Sequence, residues 1–367
     1  MIHQTLETLI DRVVAKALPI EIPMGPKQAR TIAQRVSYLL SEAHPLLPEA
    51  TAVLAALSRD LPGTLKLAFG EEDPSALLDV HQALFVIYEL SFGNPLALAT
   101  MQEHSPWLIA TRNAIEAAWL NYELPRIEPG LPTESDLGRA ERLCAWFVAQ
   151  AERKSALDRQ VVAFLAEKAT IEQFKTFILA DAHLNYRFYD ALALAQLHYS
   201  ETVKAEISQH MWDECGGGVG DQAHTRQCTR ALLKLDLSPP LIPIWDDWRP
   251  YAGYNLYLYF GLNRRHYFKA LGSLAMPELF DPGRDRAVVA GLERLGFNAP
   301  ADFEYYYNHI GGDEEHGARW LNHVIAPIVA AQPAAARELA IGGAWRMLAM
   351  RRYNEYLAKE FGLSVES

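Results

Sequence analysis

Three side chains that commonly bind metal ions lie within the stretch YYYNHIGGDEEHGARW, residues 305–320. His309, Asp313 and His316 are spaced i, i+4 and i+7, which places all three on one face of an α-helix. A Gly-Gly pair lies between the first two, although each glycine inside a helix costs about 1 kcal/mol relative to alanine. Two imidazoles and a carboxylate on one stripe indicate either a metal site or an ordinary hydrated surface.

Further candidate ligands lie upstream on other predicted helices. Glu214 is at the end of a helix that begins at Glu201, and His224 starts the next one after the glycine run at 216–218. Because glycine lets the backbone turn sharply, these two side chains can point to one place. Glu278 is an isolated acid in an apolar stretch. Each of these residues alone is also compatible with a solvated helix end or an ordinary core histidine.

Taken together, the candidate ligands are four carboxylates and three imidazoles: Asp190, Glu214, His224, Glu278, His309, Asp313 and His316. Four carboxylates neutralise two divalent cations, and buried charges without partners are too costly to be retained. Mixed carboxylate and imidazole ligands suit iron or manganese better than structural zinc. A ferritin-type bundle would carry two Glu-x-x-His motifs, which this sequence lacks. The pattern therefore favours a dinuclear site of another kind, with a zinc site at Cys215, His224 and Cys228 as an alternative.

The composition limits the class of protein. The chain has 367 residues, half of them hydrophobic, and a net charge of −11, which argues against a nucleic-acid partner. No run approaches the roughly 18 apolar residues that span a bilayer, and the first 23 residues lack the apolar core of a signal peptide. Three scattered cysteines do not form a disulfide framework. We expect a cytoplasmic protein without a membrane partner.

The elements that must position these ligands are helices. Apolar residues recur at i, i+3, i+4 and i+7 in most segments, and no sustained strand alternation occurs, so the sequence predicts an all-α fold. The prolines of LPRIEPGLPTES, residues 124–135, predict a break. We therefore expect an N-terminal helical segment at 1–130 and a helical body at 131–367. One apolar helix at 177–197 is expected to carry both Asp181 and Asp190.

The pattern resembles the haem-oxygenase-like diiron oxidases, a family of iron-containing redox enzymes. Its His-x3-Asp-x2-His signature is matched by His309, Asp313 and His316, and its preceding Glu by Glu278. The DECGGG segment followed by a histidine matches a second signature through Glu214 and His224, which are ten residues apart. The resemblance covers about 165–325.

The sequence departs from the family at one ligand. The family usually has a Glu on its first core helix, and no Glu lies near the corresponding position here. Asp190, one methylene shorter, is the preferred replacement, and Asp181 is the competing choice.

The resemblance implies a haem-oxygenase-like helical bundle that binds two ferrous ions per chain and uses O2 as co-substrate. Glu214, His309 and Asp313 are then expected to act directly in catalysis. The implied reaction is N-oxygenation of a small amine or amino acid in a specialised biosynthetic pathway. Oxidative C–C cleavage or decarboxylation is the alternative reaction, and a metal-free helical binding protein or a true haem enzyme is an alternative class. An electron donor and a homodimeric assembly are compatible partners.

The resemblance also implies a helix that orders on metal binding, which would account for Gly311 and Gly312. The sequence offers His210, one turn before Glu214, as a hydrogen-bond partner of that carboxylate. Arginines that could bind a substrate carboxylate are Arg187, Arg264 and Arg265. Aromatic residues that could line a pocket are Tyr254, Tyr257, Tyr259, Tyr305, Tyr306 and Tyr307.

Overall fold

A computed structural model describes residues 25–41, 48–197, 200–239 and 245–363, apart from the side chains of Asp313 and Glu314. The amino-terminal stretch at 1–23 lies outside these residues. Within the described ranges every regular element is helical and no strand occurs, which confirms the predicted all-α fold.

The α-helices are numbered in chain order: α1 Ile32–Ser41, α2 Pro48–Gly70, α3 Pro74–Glu89, α4 Pro106–Ile127, α5 Glu134–Leu137, α6 Ala140–Glu152, α7 Ala156–Glu167, α8 Ile171–Asn185, α9 Phe188–Ala195, α10 Glu201–Glu214, α11 His224–Lys234, α12 Trp248–Leu262, α13 Tyr267–Arg294, α14 Ala299–Asp302, α15 Glu304–Arg319, α16 Ala326–Ala331 and α17 Ala336–Phe361. A π-helical turn, Trp320–Ile325, connects α15 to α16. Short 3₁₀ turns lie at Leu90–Phe92, Leu98–Gln102, Glu128–Gly130, Gly216–Gly218, Gly220–Gln222, Arg264–His266 and Pro333–Ala335.

The chain divides into two compact units. Unit 1 comprises Met1–Arg126 and Pro240–Asn255, and unit 2 comprises Ile127–Pro239 and Leu256–Ser367. In unit 1, helices α1, α2 and α3 pack against one another. Asp79 of α3 accepts hydrogen bonds from the first backbone N–H groups of α1, which have no partner within their own helix. The predicted boundary at residue 130 between separate domains stays a prediction.

Unit 2 is built around α13, which packs against α7, α15 and α17. Its core is apolar, and large side chains such as Phe147 and Trp320 are fully buried. Gly317 marks the place where α15 crosses α13. A Cβ atom at this position would lie 3.0 Å from the carbonyl oxygen of Glu278, so glycine allows the two backbones to approach closely. This crossing brings the neighbouring His316 next to Glu278.

Two predicted helix boundaries were wrong. The expected single helix at 177–197 is two helices, α8 and α9, so Asp181 and Asp190 lie on different elements. The expected break at 124–135 begins later, because α4 continues through Pro125 to Ile127. Between α6 and α7 the helical structure is interrupted, and the side chain of Ser155 caps the start of α7.

By contrast, the prediction for α10 was confirmed. This helix runs from Glu201 to Glu214, and the chain resumes helical structure at His224.

In the described part of the chain, no single helix is long and apolar enough to cross a bilayer. One sharply bent pair, Glu304–Ala331 with Pro333–Phe361, meets the criteria of length and composition together.

Candidate metal centre

Two sets of imidazole and carboxylate groups meet inside unit 2. The first set is Glu214, His224 and His309, whose potential ligand atoms all lie within 4.8 Å of one another. The Oε2 atom of Glu214 is 2.9 Å from Nδ1 of His224, and the rings of His224 and His309 have centroids 4.4 Å apart. Three helices, α10, α11 and α15, each contribute one residue.

The turn between α10 and α11 depends on Gly216. Its φ of +74° lies in the left-handed region, and a Cβ atom there would lie 2.4 Å from the backbone nitrogen of Ala223. Only glycine fits both conditions. The resulting reversal of the chain brings Glu214 beside His224, as the sequence predicted from the glycine run.

The second set is His210, Glu278 and His316, again with ligand atoms within 4.8 Å of one another and with all three residues buried. Glu278 Oε2 lies 3.5 Å from Nδ1 of His316 and 3.7 Å from Nε2 of His210. The same nitrogen of His210 is 3.7 Å from Oε1 of Glu214. The two sets are therefore neighbours, and His210 lies between their carboxylates.

Hydrogen bonds orient two of the histidines. Nδ1 of His309 lies 2.6 Å from the carbonyl oxygen of Tyr305, to which it can only donate, so the Nε2 lone pair remains available. Nε2 of His316 lies 3.2 Å from Oδ2 of Asp213 and donates to it, which leaves Nδ1 facing Glu278. Fixing the tautomer through the second ring nitrogen is how metal-binding histidines are usually oriented.

His210 is held the opposite way. The indole N–H of Trp320, which can only donate, lies 2.8 Å from Nδ1 of His210. The proton of a neutral His210 is then on Nε2, the atom that faces Glu214 and Glu278. In this orientation His210 has no free lone pair for a cation, although its distances place it in the second set. At 3.7 Å it is also too far for a hydrogen bond to either carboxylate.

Charges within the two sets shift the titration of their members. Burial alone would raise the pKa of the Glu214 carboxyl, but His224, His210 and His309 outweigh it and hold this pKa well below its ordinary value. Burial, with His224 nearby, lowers the pKa of His309 to about 4, so this imidazole is neutral near pH 7. Burial would also lower the pKa of His316, but the effects of Glu278 and Asp213 are larger than that of burial and raise this pKa to about 9.

The donor atoms fit a bound metal ion. Buried polar atoms normally have hydrogen-bond partners. Among the described residues, Nδ1 of His224, Oε2 of Glu278 and Nδ1 of His316 have none. His224 lies close to Glu214, but the angle is unsuitable for a hydrogen bond, as expected for two ligands of one ion. Imidazole nitrogen and carboxylate oxygen are ligands that iron accepts.

A pocket opens onto both sets. Glu214 and His309 of the first set and Glu278 of the second line it. Its empty volume is about 480 Å³ when the space that is open to solvent is counted. The remaining lining residues are Leu184, Asn185, Phe188, Tyr257, Pro277, Asp281, Arg284, Asp285 and Tyr305.

Five of the seven predicted ligands come together in the two sets: Glu214, His224, Glu278, His309 and His316. Asp313 lies on the same helix as His309 and His316, but its side chain is outside the described part of the structure. Asp190 is partly exposed and lies 3.4 Å from Arg187, outside both sets. Asp181 is buried and lies 3.8 Å from Arg284, also outside both sets. The choice between them as a ligand stays a prediction.

Other predicted contributors have varied positions. Tyr257 and Tyr305 line the pocket, whereas Tyr307 is 46% exposed. Tyr306 is buried against Phe177, and Tyr259 forms a hydrogen bond with His266. Tyr254 belongs to unit 1, where it donates to Glu89.

Among the predicted substrate-binding arginines, Arg264 lies over the ring of Tyr267, and Arg265 is exposed. Among the described residues, the cysteines join neither metal-ligand set, and Cys215 is exposed while Cys228 is buried.

Several functional candidates were missed by sequence reasoning. Asp213 and Trp320, which orient His316 and His210, have no signature of their own, because their roles depend on how helices cross. A signal for the pocket acids was present: Glu278, Asp281 and Asp285 are spaced i, i+3 and i+7 along α13, which places them on one stripe.

This all-α arrangement, with imidazoles and carboxylates from four helices meeting in the interior, defines a helical protein with a candidate metal centre. Residues 175–352 match the family model described as iron-containing redox enzyme, in agreement with the resemblance found in the sequence. The all-α fold agrees with the haem-oxygenase-like helical bundle that the resemblance implied, and the family match supports iron-dependent redox chemistry. No curated protein matches the chain.

Proposed function

We propose that this protein is a non-haem diiron oxygenase that uses O2 to oxidise a small nitrogen-containing metabolite. One observation carries the proposal: two adjacent sets of buried imidazoles and carboxylates open onto a single pocket. Glu214, His224 and His309 would hold one ferrous ion. Glu278 and His316 would hold the other, with Asp313 as the further ligand predicted from the sequence.

The family supports iron and redox chemistry, and the ligand chemistry supports the finer assignment. When bound, ferrous iron would supply electrons to dioxygen. The chain's own residues bind and orient the ions: the Tyr305 carbonyl and Asp213 hold the protons of His309 and His316 on the nitrogens that face away from the metals. The carboxylates of Glu214 and Glu278 are buried in the surrounding core.

N-oxygenation of an amine or amino acid is the reaction we propose first. Inserting one oxygen atom of O2 into an N–H bond leaves the other oxygen as water and consumes two electrons and two protons, so repeated turnover needs an external electron donor. The pocket contains acids that can bind a basic nitrogen compound, which favours this reaction over oxidative decarboxylation of a fatty acid. A specialised biosynthetic pathway, a cytoplasmic location and a homodimer are further elements of the proposal.

An anaerobic Fe(II) titration tests the proposal. We expect about two ferrous ions per chain, followed by O2 consumption that increases when amines or amino acids are added. His309→Ala should remove one ion and all turnover, whereas His323→Ala, an exposed histidine outside both sets, should change neither. A chain that binds no iron would instead be a metal-free binding protein, and a Soret band after haem addition would indicate a haem enzyme. Products that have lost CO2 or a carbon fragment would favour C–C cleavage.

A further inference from the structure

The pocket has a second charged wall beyond the metal ligands. Asp281 and Asp285 follow Glu278 along α13 by one and two helical turns, and all three side chains line the pocket. Seven residues of helix correspond to about 10 Å along the axis. A ligand in this pocket can therefore contact the candidate metal centre with one end and the two aspartates with the other.

Asp285 is a buried carboxylate without a direct partner. Its relative exposure is 4%, and among the described residues no hydrogen bond or close ion pair reaches it. Burial, together with the neighbouring acids, raises the pKa of Asp285 well above its ordinary value. An uncompensated carboxylate in the interior is costly unless a cation or a hydrogen-bond donor reaches it.

Arg284, the arginine that lines this part of the pocket, already has acidic neighbours. Arg284 lies 3.5 Å from Asp281 and 3.8 Å from Asp181, and it acts electrostatically on Asp285 as well. Three carboxylates thus share one adjacent arginine. Although Nε of Arg284 has no hydrogen-bond partner among the described residues, a single guanidinium charge cannot neutralise three carboxylates.

Lys154 and Arg346 are cationic residues near this wall that do not line the pocket. Lys154 donates to the carbonyl oxygen of Phe280 at 3.3 Å, and the guanidinium of Arg346 lies 4.3 Å from the centre of the Tyr257 ring. Both act electrostatically on Asp281. Asp285 is therefore the acid on which a positive ligand group would have the largest effect.

Two unpartnered polar atoms of residues that line the same pocket point to the same kind of ligand. The hydroxyl of Tyr257, a residue that is 4% exposed, has no hydrogen-bond partner among the described residues. The same is true of Oδ1 of Asp281. An ammonium group carries three N–H donors, and each of these three residues offers an oxygen atom that can accept from it.

We propose that Asp285, together with Asp281 and Tyr257, forms a subsite for a positively charged nitrogen of the substrate. The substrate is then a basic compound with two ends, such as a diamine or a basic amino acid. Its cationic end is held at this wall while its other end reaches the metal ligands. The identity of the oxidised end rests on the proposed function, whereas binding at the wall does not.

Binding measurements with three chains of similar length test the subsite. The probes are cadaverine, pentanediol and heptanedioate, which are cationic, neutral and anionic. Dissociation constants are measured by calorimetry under anaerobic conditions, on metal-free and Fe(II)-treated protein, so that no turnover is needed. We expect cadaverine to bind more tightly than the other two. Asp285→Asn should weaken cadaverine binding at least tenfold and leave pentanediol unchanged, because a charge-assisted contact is lost.

A matched control variant is Glu293→Gln, an exposed acid on the same helix, which should bind cadaverine like the unmodified protein. Equal cadaverine affinity in Asp285→Asn and the unmodified protein would overturn the proposal, as would tighter binding of heptanedioate. Asp281→Asn provides a second variant should the first fail to fold. Iron-free protein that still requires Asp285 for cadaverine would support the subsite even if the proposed oxygenase activity failed.

Discussion

At the scale of single residues, the roles of the imidazoles depend on which nitrogen carries the proton. His309 and His316 each direct one N–H to an acceptor, the Tyr305 carbonyl and Asp213, and keep the other nitrogen for a cation. His210 accepts from Trp320 instead. Distance alone makes all three equivalent, but the hydrogen bonds make His210 a positioning residue between Glu214 and Glu278.

This distinction predicts different iron contents for two alanine variants. His316→Ala should retain about one iron per chain, because it removes a ligand. His210→Ala should retain about two, because it removes a neighbour of the ligands, although it should bind them more weakly. Metal analysis after anaerobic loading and desalting measures both. If His210→Ala lost one iron per chain, the ring of His210 in the unmodified protein would have to flip and bind the metal directly.

The sequence was informative about residues only where spacing follows the helix. The i, i+4, i+7 pattern placed His309 and His316 on one face, and the glycine run placed Glu214 beside His224. Asp190 and Asp181 could not be separated in this way, because the break after Asn185 that puts them on different helices has no proline or glycine to mark it.

At the scale of elements, α15 is fixed at both ends and weakened in its middle. Glu304 at its start bonds to Arg230 of α11, and Arg319 at its end lies 2.9 Å from Glu206 of α10. Gly311 and Gly312 lie between these anchors, in the segment that carries the ligands. The sequence predicted that metal binding orders this helix, and the anchors restrict such ordering to its central turns.

Alanine at the two glycines tests this prediction. Among the described atoms, none would lie within 4 Å of a Cβ atom at Gly311 or Gly312, so each substitution should stabilise the metal-free protein by about 1 kcal/mol. Hydrogen exchange of 303–320 should slow markedly when Fe(II) binds the unmodified protein, and less in the double variant. Unchanged protection on iron binding would contradict the ordering.

Gly317 provides a contrast on the same helix. A Cβ atom there would lie 3.0 Å from the carbonyl oxygen of Glu278 and 2.9 Å from the side chain of Leu279, both closer than ordinary van der Waals contact. We expect Gly317→Ala to lower the melting temperature and weaken iron binding, because it pushes His316 away from Glu278. The helical pattern of the sequence could not reveal this requirement, since it depends on the crossing of two helices far apart in the chain.

At the scale of the whole molecule, the all-α fold class was predictable from periodicity. Periodicity carries no information about which helices group into the same compact unit. The apolar pattern identified helices throughout, whereas the grouping of Pro240–Asn255 with the amino-terminal unit depends on contacts distant in sequence. Burial of polar groups throughout unit 2 also makes stability depend on pH. His183 on α8 illustrates this, because burial, with Arg187 nearby, lowers its pKa to about 3.

The sign of this dependence follows from proton binding. A histidine with an ordinary pKa of about 6.5 when unfolded binds its proton first in the unfolded chain, so stability is lost as the pH falls below this value. We expect His183 to reduce the free energy of unfolding by about 2 kcal/mol between pH 7 and pH 5. Urea titrations at both pH values should show a smaller difference for His183→Asn. If the free energy of unfolding changes equally with pH in His183→Asn and in the unmodified protein, groups other than His183 cause the pH dependence.

The central claim is that two iron ions bind side by side in unit 2, and anomalous scattering at the iron absorption edge tests it most directly. Crystals loaded with Fe(II) without oxygen should show two adjacent peaks. One should lie within bonding distance of Glu214, His224 and His309, and the other within bonding distance of Glu278 and His316. A single peak, or peaks bound to other residues, would contradict the account.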